Sequence, residues 1–398
     1  MSTRLGYRIV AMARGILAGG LLLVWSAGHS ARAADPGVTA DKIVFGQSAA
    51  LDGPAKGLGL GMNEGLRAAF AEANRAGGVN GRSLELTALN DGYEPDRAVA
   101  NTTSLIEESK VFALVGAVGT PTAAAAQPLA TAAQLPFIGA FTGAGFLRDP
   151  KLRNVINVRA SYDQETETWI ERLTQDLGLS RIAILYQDDS FGRAGLSGVR
   201  KAMARRNMSL VAEGLYPRNT TAVKTAFLTI RKAKPEAVVM VGAYAPCAKF
   251  IKVARSHGLD QALFVNISFV GSDALAQTLG NDGKGVIITQ VVPFPTDNSL
   301  PLVADYHKAL KATDPAATPG FVSLEGYMVG RLIVAALKLL PDEPTRAALL
   351  DTIYRTRRFD LGGVILTFGE GDNQGMDQVF LTRITAEGGF QAIERLTR

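Results

Sequence analysis

From Asp41 onward, short apolar runs alternate with amphipathic helical patterns, and that alternation permits little besides parallel sheets covered by helices on both faces. Residues 42–46 read as a strand, and 62–76 as a helix with Met62, Leu66, Phe70 and Ala73 on one face, stopped by Gly77 and Gly78. A strand at 84–88, a helix at 96–108 and strands at 111–115 and 136–139 around a helix at 121–133 complete a first round. The rhythm restarts after Arg159, with helices at 163–177, 191–206, 221–233 and 246–257 alternating with strands at 181–186, 210–213, 237–241 and 263–266, and a strand at 286–290 closes the series. Two rounds predict two doubly wound α/β lobes. The remainder is too rich in helix for a third sheet, with helices near 302–311, 323–340 and 344–354 and strands near 363–368 and 377–384. It is expected to complete the first two lobes.

The formal net charge of +5 hints at an anionic partner. Its placement removes the hint, because residues 1–33 hold Arg4, Arg8, Arg14 and Arg32 and no acid, which leaves 38 basic against 37 acidic residues. No nucleic-acid partner is expected. A basic start, an apolar run over 16–25 and the small residues Ala31 and Ala33 read as an export signal at 1–33, cleaved after Ala33. The run is about half the roughly 20 residues a membrane span needs. Export then leads to the periplasm, and no cysteine follows the cleavage point to carry a lipid. The single cysteine, Cys247, lies in an apolar helix start and reads as a buried structural thiol.

Signatures of catalysis are scarce. Past the leader only His257 and His307 remain, neither beside a second ligand-type residue at metal spacing. Both read as surface or helix-end histidines. Neither a phosphate loop nor a nucleophile elbow occurs. The stretch Gly57-Leu58-Gly59-Leu60-Gly61 lacks the third glycine of a dinucleotide fingerprint and reads as a flexible cleft loop. No enzyme activity, cofactor or metal is expected.

The local sequence with most weight is Val115-Gly116-Ala117-Val118-Gly119-Thr120-Pro121-Thr122. A buried strand ends in small residues, Thr120 suits an N-cap and Pro121 the first helical position. A helix N-terminus at the carboxyl edge of a parallel strand is where such folds bind ligands, and its free N–H groups favour an anion. Ile138-Gly139-Ala140-Phe141-Thr142-Gly143-Ala144 ends the next strand in the same manner. Tyr162 after the first inter-lobe crossing, Tyr93 after a strand end and Gln290 at the second crossing are further candidate contacts.

The run Asn63-Glu64-Gly65-Leu66 through Glu72-Ala73-Asn74-Arg75-Ala76-Gly77-Gly78-Val79-Asn80-Gly81-Arg82, with Asn90-Asp91-Gly92-Tyr93-Glu94-Pro95 and Gly242-Ala243-Tyr244, resembles the periplasmic leucine/isoleucine/valine-binding proteins. These are type I substrate-binding proteins of ABC importers, and the similarity runs over roughly residues 41–390. The resemblance implies two doubly wound lobes joined by three crossing strands, with a small-molecule ligand held between lobes that close by hinge motion. It implies a monomer that delivers its ligand to a membrane ABC permease. By chain position the crossings fall near Arg159, 290–293 and 362–366. Lobe 1 is then 34–158 with 291–362, and lobe 2 is 159–290 with 363–398.

Carried over by that resemblance, the residue that binds the ligand's carboxylate falls on Thr120, and the small residues and threonine after the next strand fall on Ala140, Phe141, Thr142 and Gly143. The second lobe contributes Phe191, where the family's hydroxyl is missing, and Tyr244. Leu58 stands at the aromatic of the first loop. Ser268 occupies the place of the acid that pairs with the ligand's ammonium, and burying an ammonium without a charged partner is costly. A cysteine pair that many amino-acid binders carry is replaced by Tyr93 and Gly119. Carboxylates, amides and ureas therefore stand beside amino acids as ligand classes. Glu165, Asp188, Asp189 and Glu325 are acids in nearby segments, and each reads as a solvated helix-start or loop residue. A periplasmic sensor with the same fold is the other functional class.

Overall fold

The computed structural model describes residues 35–341 and 343–397; the expected signal and its cleavage point lie outside them. The first sheet is built from β1 (Lys42–Ala49), β2 (Ser83–Asn90), β3 (Ala113–Val115), β4 (Phe137–Ile138) and β5 (Val155–Ile156), in the order β2-β1-β3-β4-β5. Every pair in it is parallel. Helices α1 (Lys56–Arg75), α2 (Pro95–Glu107) and α3 (Thr120–Ala132) connect the strands.

After β5 the chain crosses to α4 (Tyr162–Gln175) and a second round, β6 (Ile182–Gln187), α5 (Ser190–Ala204), β7 (Ala212–Tyr216), α6 (Lys224–Lys232), β8 (Ala237–Val241), α7 (Tyr244–Ser256), β9 (Leu263–Asn266), α8 (Ser272–Leu279) and β10 (Ile287–Gln290). Strands β6 and β8 are buried along their whole length, as the centre of a sheet covered on both faces requires. The chain then returns through α9 (Pro301–Thr313), α10 (Phe321–Leu337) and α11 (Arg346–Thr356). A hairpin of β11 (Arg358–Asp360) and β12 (Ile365–Thr367) follows, then β13 (Phe380–Ile384) and β14 (Phe390–Ile393). The second sheet runs β14-β13-β10-β9-β8-β6-β7, and its last two strands are antiparallel additions.

Both sheets reverse their winding at the same point. The first strand of each round, β1 or β6, has its successor on one side and the next strand on the other, so the switch points lie between β1 and β3 and between β6 and β8. In open α/β sheets the crevice outside the carboxyl ends of such strands is the ligand position. The β3 end leads into Thr120, the β6 end into Asp188 and Asp189, and the β8 end into Tyr244.

Two expectations are corrected here. The Gly57–Gly61 stretch is not a flexible loop, because it forms the first turns of α1. Glycine is a poor helix former, but close packing requires it at these positions. A Cβ on Gly59 would stand 2.0 Å from the Ala50 carbonyl oxygen, and one on Gly65, further along α1, 1.9 Å from that of Ser323 on α10. The third crossing is also displaced, since Gly362 and Gly363 form the turn of the β11–β12 hairpin. Their φ angles are 105° and 90°, and the Asp360 carboxylate accepts both of their N–H groups. The chain still bridges the first lobe at Gln374, opposite Asn157, and enters the second sheet only at β13. Helix α8 and strands β5, β11 and β14 are additions to the sequence reading. Among the described residues no helix is long and apolar enough to cross a membrane.

Candidate functional site

The N-terminus of α3 meets Tyr162 at the start of α4, and there the expected cap is replaced by bonds between side-chain hydroxyls. Gly119, with φ at 104°, is the residue before the helix, and the Thr120 side chain caps nothing. Its hydroxyl lies 2.7 Å from that of Thr142, which in turn donates to the Tyr162 hydroxyl at 3.3 Å. Three buried hydroxyls from three segments thus meet beside free helix N–H groups. Burial holds the Tyr162 phenol above its ordinary range, so it remains a donor. Gly143 is required beside it, because a Cβ there would stand 2.5 Å from the Tyr162 ring.

An aromatic group closes the other side. Phe269 packs 4.4 Å from Phe191 and 5.3 Å from Phe141 between ring centroids, and Phe191 lies 5.5 Å from Tyr162. Ala140 is buried with them. Tyr244 reaches across the lobes to accept the Gly57 N–H at 3.3 Å. Leu58 is fully buried in α1 and faces Gly271, so it belongs to the packing between lobes. Gln290 is held by Ser272 and Thr382 at 2.8 and 3.0 Å, deep in the second sheet.

Ser268 faces Glu165 rather than open space. Its N–H and hydroxyl donate to that carboxylate at 2.8 and 2.9 Å, and it also accepts from Arg159. Glu165 and Glu325 are not solvated, contrary to expectation. Their side chains are 0% and 2% exposed and flank the Arg159 guanidinium, itself 0% exposed, at 3.5 Å each. One acid comes from α4 of the second lobe and the other from α10, with the arginine on the first crossing. The guanidinium also lies over the Phe141 ring at 4.8 Å. Of the other two acids, Asp188 is exposed and pairs with Arg193, while Asp189 is buried and caps α5. Every acid near the cleft that sequence reasoning singled out already has an internal partner.

Arg159 and Phe269 were not recognised as parts of the site. Arg159 stands in the apolar segment Asn157-Val158-Arg159-Ala160, and a lone charge at the end of a buried strand was the available signal. Cys247 is buried, and burial pushes its thiol up. His257 lies exposed at the end of α7, and His307 bonds the Pro295 carbonyl at 2.6 Å. Among the described residues no cluster of three or more His, Cys, Asp or Glu side chains could hold a metal.

The buried acids make stability depend on pH. Burial raises Glu325 from 4.5 to about 7, against the pull of Arg159 and Arg148 and with the push of Glu165. The folded protein therefore binds this proton more tightly than the unfolded chain does. The contribution of Glu325 is fully present below 4.5 and is lost as pH rises to about 7. Urea denaturation across that range should show stability from this group falling with pH, and Glu325→Gln should flatten the slope. An unaltered slope would show that this carboxyl titrates as an ordinary one.

With this geometry in place, similarity to known proteins can be read. The family model described as periplasmic binding protein matches residues 42–389. Leu/Ile/Val-binding protein homolog 7 of Brucella melitensis is 23% identical over 308 residues, covering 74% of this chain and 76% of its own. A crystal structure from Rhodopirellula baltica, described as a possible leucine/isoleucine/valine-binding protein, is 40% identical with a TM-score of 0.85, covering 90% of this chain and 98% of that one. A substrate-binding periplasmic protein from Ralstonia solanacearum is 26% identical with a TM-score of 0.82, over 88% and 99% of the two chains.

Proposed function

This chain belongs to the periplasmic binding protein family, in its leucine/isoleucine/valine-binding branch, and on that premise we propose that it captures a small carboxylate-bearing solute for an ABC importer. The export signal over residues 1–33, cleaved after Ala33, belongs to the same reading. The observation that carries the ligand class is the convergence of the Thr120, Thr142 and Tyr162 hydroxyls at the α3 N-terminus. A carboxylate that draws these protons out of the bonds the hydroxyls make to one another accepts from them and gains from the helix dipole.

The acids set what the rest of the ligand lacks. Glu165 and Glu325 are both committed to Arg159, so an α-ammonium at Ser268 meets a hydroxyl that is already bonded and no free carboxylate. Burying a charge under those conditions is unfavourable. The ligand is then a carboxylate without an α-ammonium, carried by the two lobes to a permease.

Leucine and 4-methylpentanoate differ only by the ammonium, and they make the test. The protein is unfolded and refolded to remove co-purified solute, then titrated calorimetrically with each compound and with 4-methylpentanamide. The acid should bind roughly tenfold or more tighter than leucine, because the unpaired ammonium is desolvated. It should also exceed the amide, which lacks the charge. Leucine binding tighter than 4-methylpentanoate overturns the assignment.

A further inference from the structure

A cavity opens at the switch point of the second sheet. It measures about 370 Å³ and is walled by Pro54 and Ala55 from the first lobe and by Ala243, Ala245 and Pro246 at the start of α7. Its polar groups are Tyr93, Gln187 and the loop that begins at Asn219. That volume lies within the range of small-molecule sites, and the carboxyl edge of a switch point is where such folds hold ligands.

Tyr93 joins this cavity to the hydroxyl cluster. Its ring lies against Gly119, where a Cβ would come within 2.2 Å of it, and Gly119 precedes Thr120. The same ring lines the cavity and stands 6.0 Å from Phe269. The backbone at Tyr93 is left-handed, with φ at 64°, an unusual state for a bulky residue that surrounding contacts must enforce. Asp91 enforces it by accepting the Tyr93 N–H at 2.8 Å, and Ser48 holds Asp91 at 2.8 Å.

The hydrogen bonding at Tyr93 leaves a donor. Gln187 donates to the phenol oxygen at 3.1 Å, so the phenol's own proton is free, and burial keeps that proton on the oxygen. The charges in neighbouring positions are paired with one another, Arg218 with Glu94 at 2.8 Å and with Asp189 at 3.3 Å. Asn219 donates to Glu94 at 2.7 Å and to the Gly92 carbonyl at 3.1 Å. These bonds tie the loop of one lobe to the loop of the other beside the cavity.

We infer that this cavity receives the distal half of an elongated ligand whose carboxylate sits at Thr120 and Thr142. That half is an apolar chain or ring ending in an uncharged oxygen acceptor, which takes the Tyr93 proton. The inference rests on the carboxylate reading above and adds the length and polarity of the solute.

Straight-chain monocarboxylates from acetate to octanoate, with an ω-methoxy version of the longer ones, provide the probes for calorimetry on the refolded protein. Affinity should rise roughly threefold to fourfold for each methylene buried. Ala245→Trp, or Thr221→Trp from the facing loop if the first variant melts early, should flatten that rise. Tyr93→Phe should remove the added affinity of the methoxy group alone. Thr120→Val should lower every member in parallel, which separates the two halves of the site. A flat series in the native protein, with Thr120→Val still weakening all members, overturns the distal site and leaves the carboxylate reading standing. Binding by no member overturns both.

Discussion

Replacing Arg159 by alanine is expected to cost about 3–5 kcal/mol of stability near pH 8, the range for breaking a buried ion pair by removing one partner. The cause is what remains. Glu165 and Glu325 lose the guanidinium that contacts both, while their own side chains stay 0% and 2% exposed. Glu165 retains Ser268 and Thr289, at 2.8, 2.9 and 2.5 Å, but Glu325 Oε1 already has no hydrogen-bond donor. Urea denaturation would show the loss, and the loss should shrink at pH 5, where both acids, raised by burial, take up protons in the variant. Arg159→Met combined with Glu165→Gln and Glu325→Gln should recover most of the stability, because a buried ionic triad replaced as a unit is often neutral. A cost for Arg159→Ala below about 1 kcal/mol, the scale of a surface pair, would show that the triad is solvated in the folded protein.

The triad also illustrates which features were legible in the residues. Strand and helix order could be read because apolar period and turn residues are local, and β8 (Ala237–Val241) and β9 (Leu263–Asn266) fall where the pattern puts them. The partners of Arg159 could not. They lie at 165 on α4 and at 325 on α10, and a side-chain pairing between separate segments leaves no periodic trace. The glycines at 59 and 61 illustrate a related reason: their low helix propensity is local, while the close approach of Ala50 and of Val322 on α10 that requires them is not. The hairpin at Gly362 and Gly363 is different, since Asp360-Leu361-Gly362-Gly363 is itself a turn signal and was available. At the site, the small residues after β3 and β4 announced a ligand edge. They did not reveal that the Thr120 hydroxyl bonds Thr142 rather than its own helix.

That last contact leads to the largest expected effect on binding. Thr120→Val with Thr142→Val removes two hydroxyls while keeping side-chain shape, and hydrogen bonds to a charged group contribute about 1.5–3 kcal/mol each. The two residues bond one another, so their effects on a ligand are coupled and will not simply add. A loss of about 100-fold in affinity for 4-methylpentanoate is expected for the double variant, equivalent to about 2.7 kcal/mol. Stability without solute should fall by about 1–3 kcal/mol, because the Thr120–Thr142 bond leaves as a pair but the buried Ala144 N–H, which donates to Thr142 at 3.2 Å, loses its acceptor. Tyr162→Phe then asks whether the third hydroxyl acts on the same atom. If it does, Tyr162→Phe weakens binding in the native background and has a smaller effect in the double variant. Equal effects in both backgrounds would place the phenol on a different part of the solute, and unchanged affinity in the double variant would remove the carboxylate from the α3 N-terminus altogether.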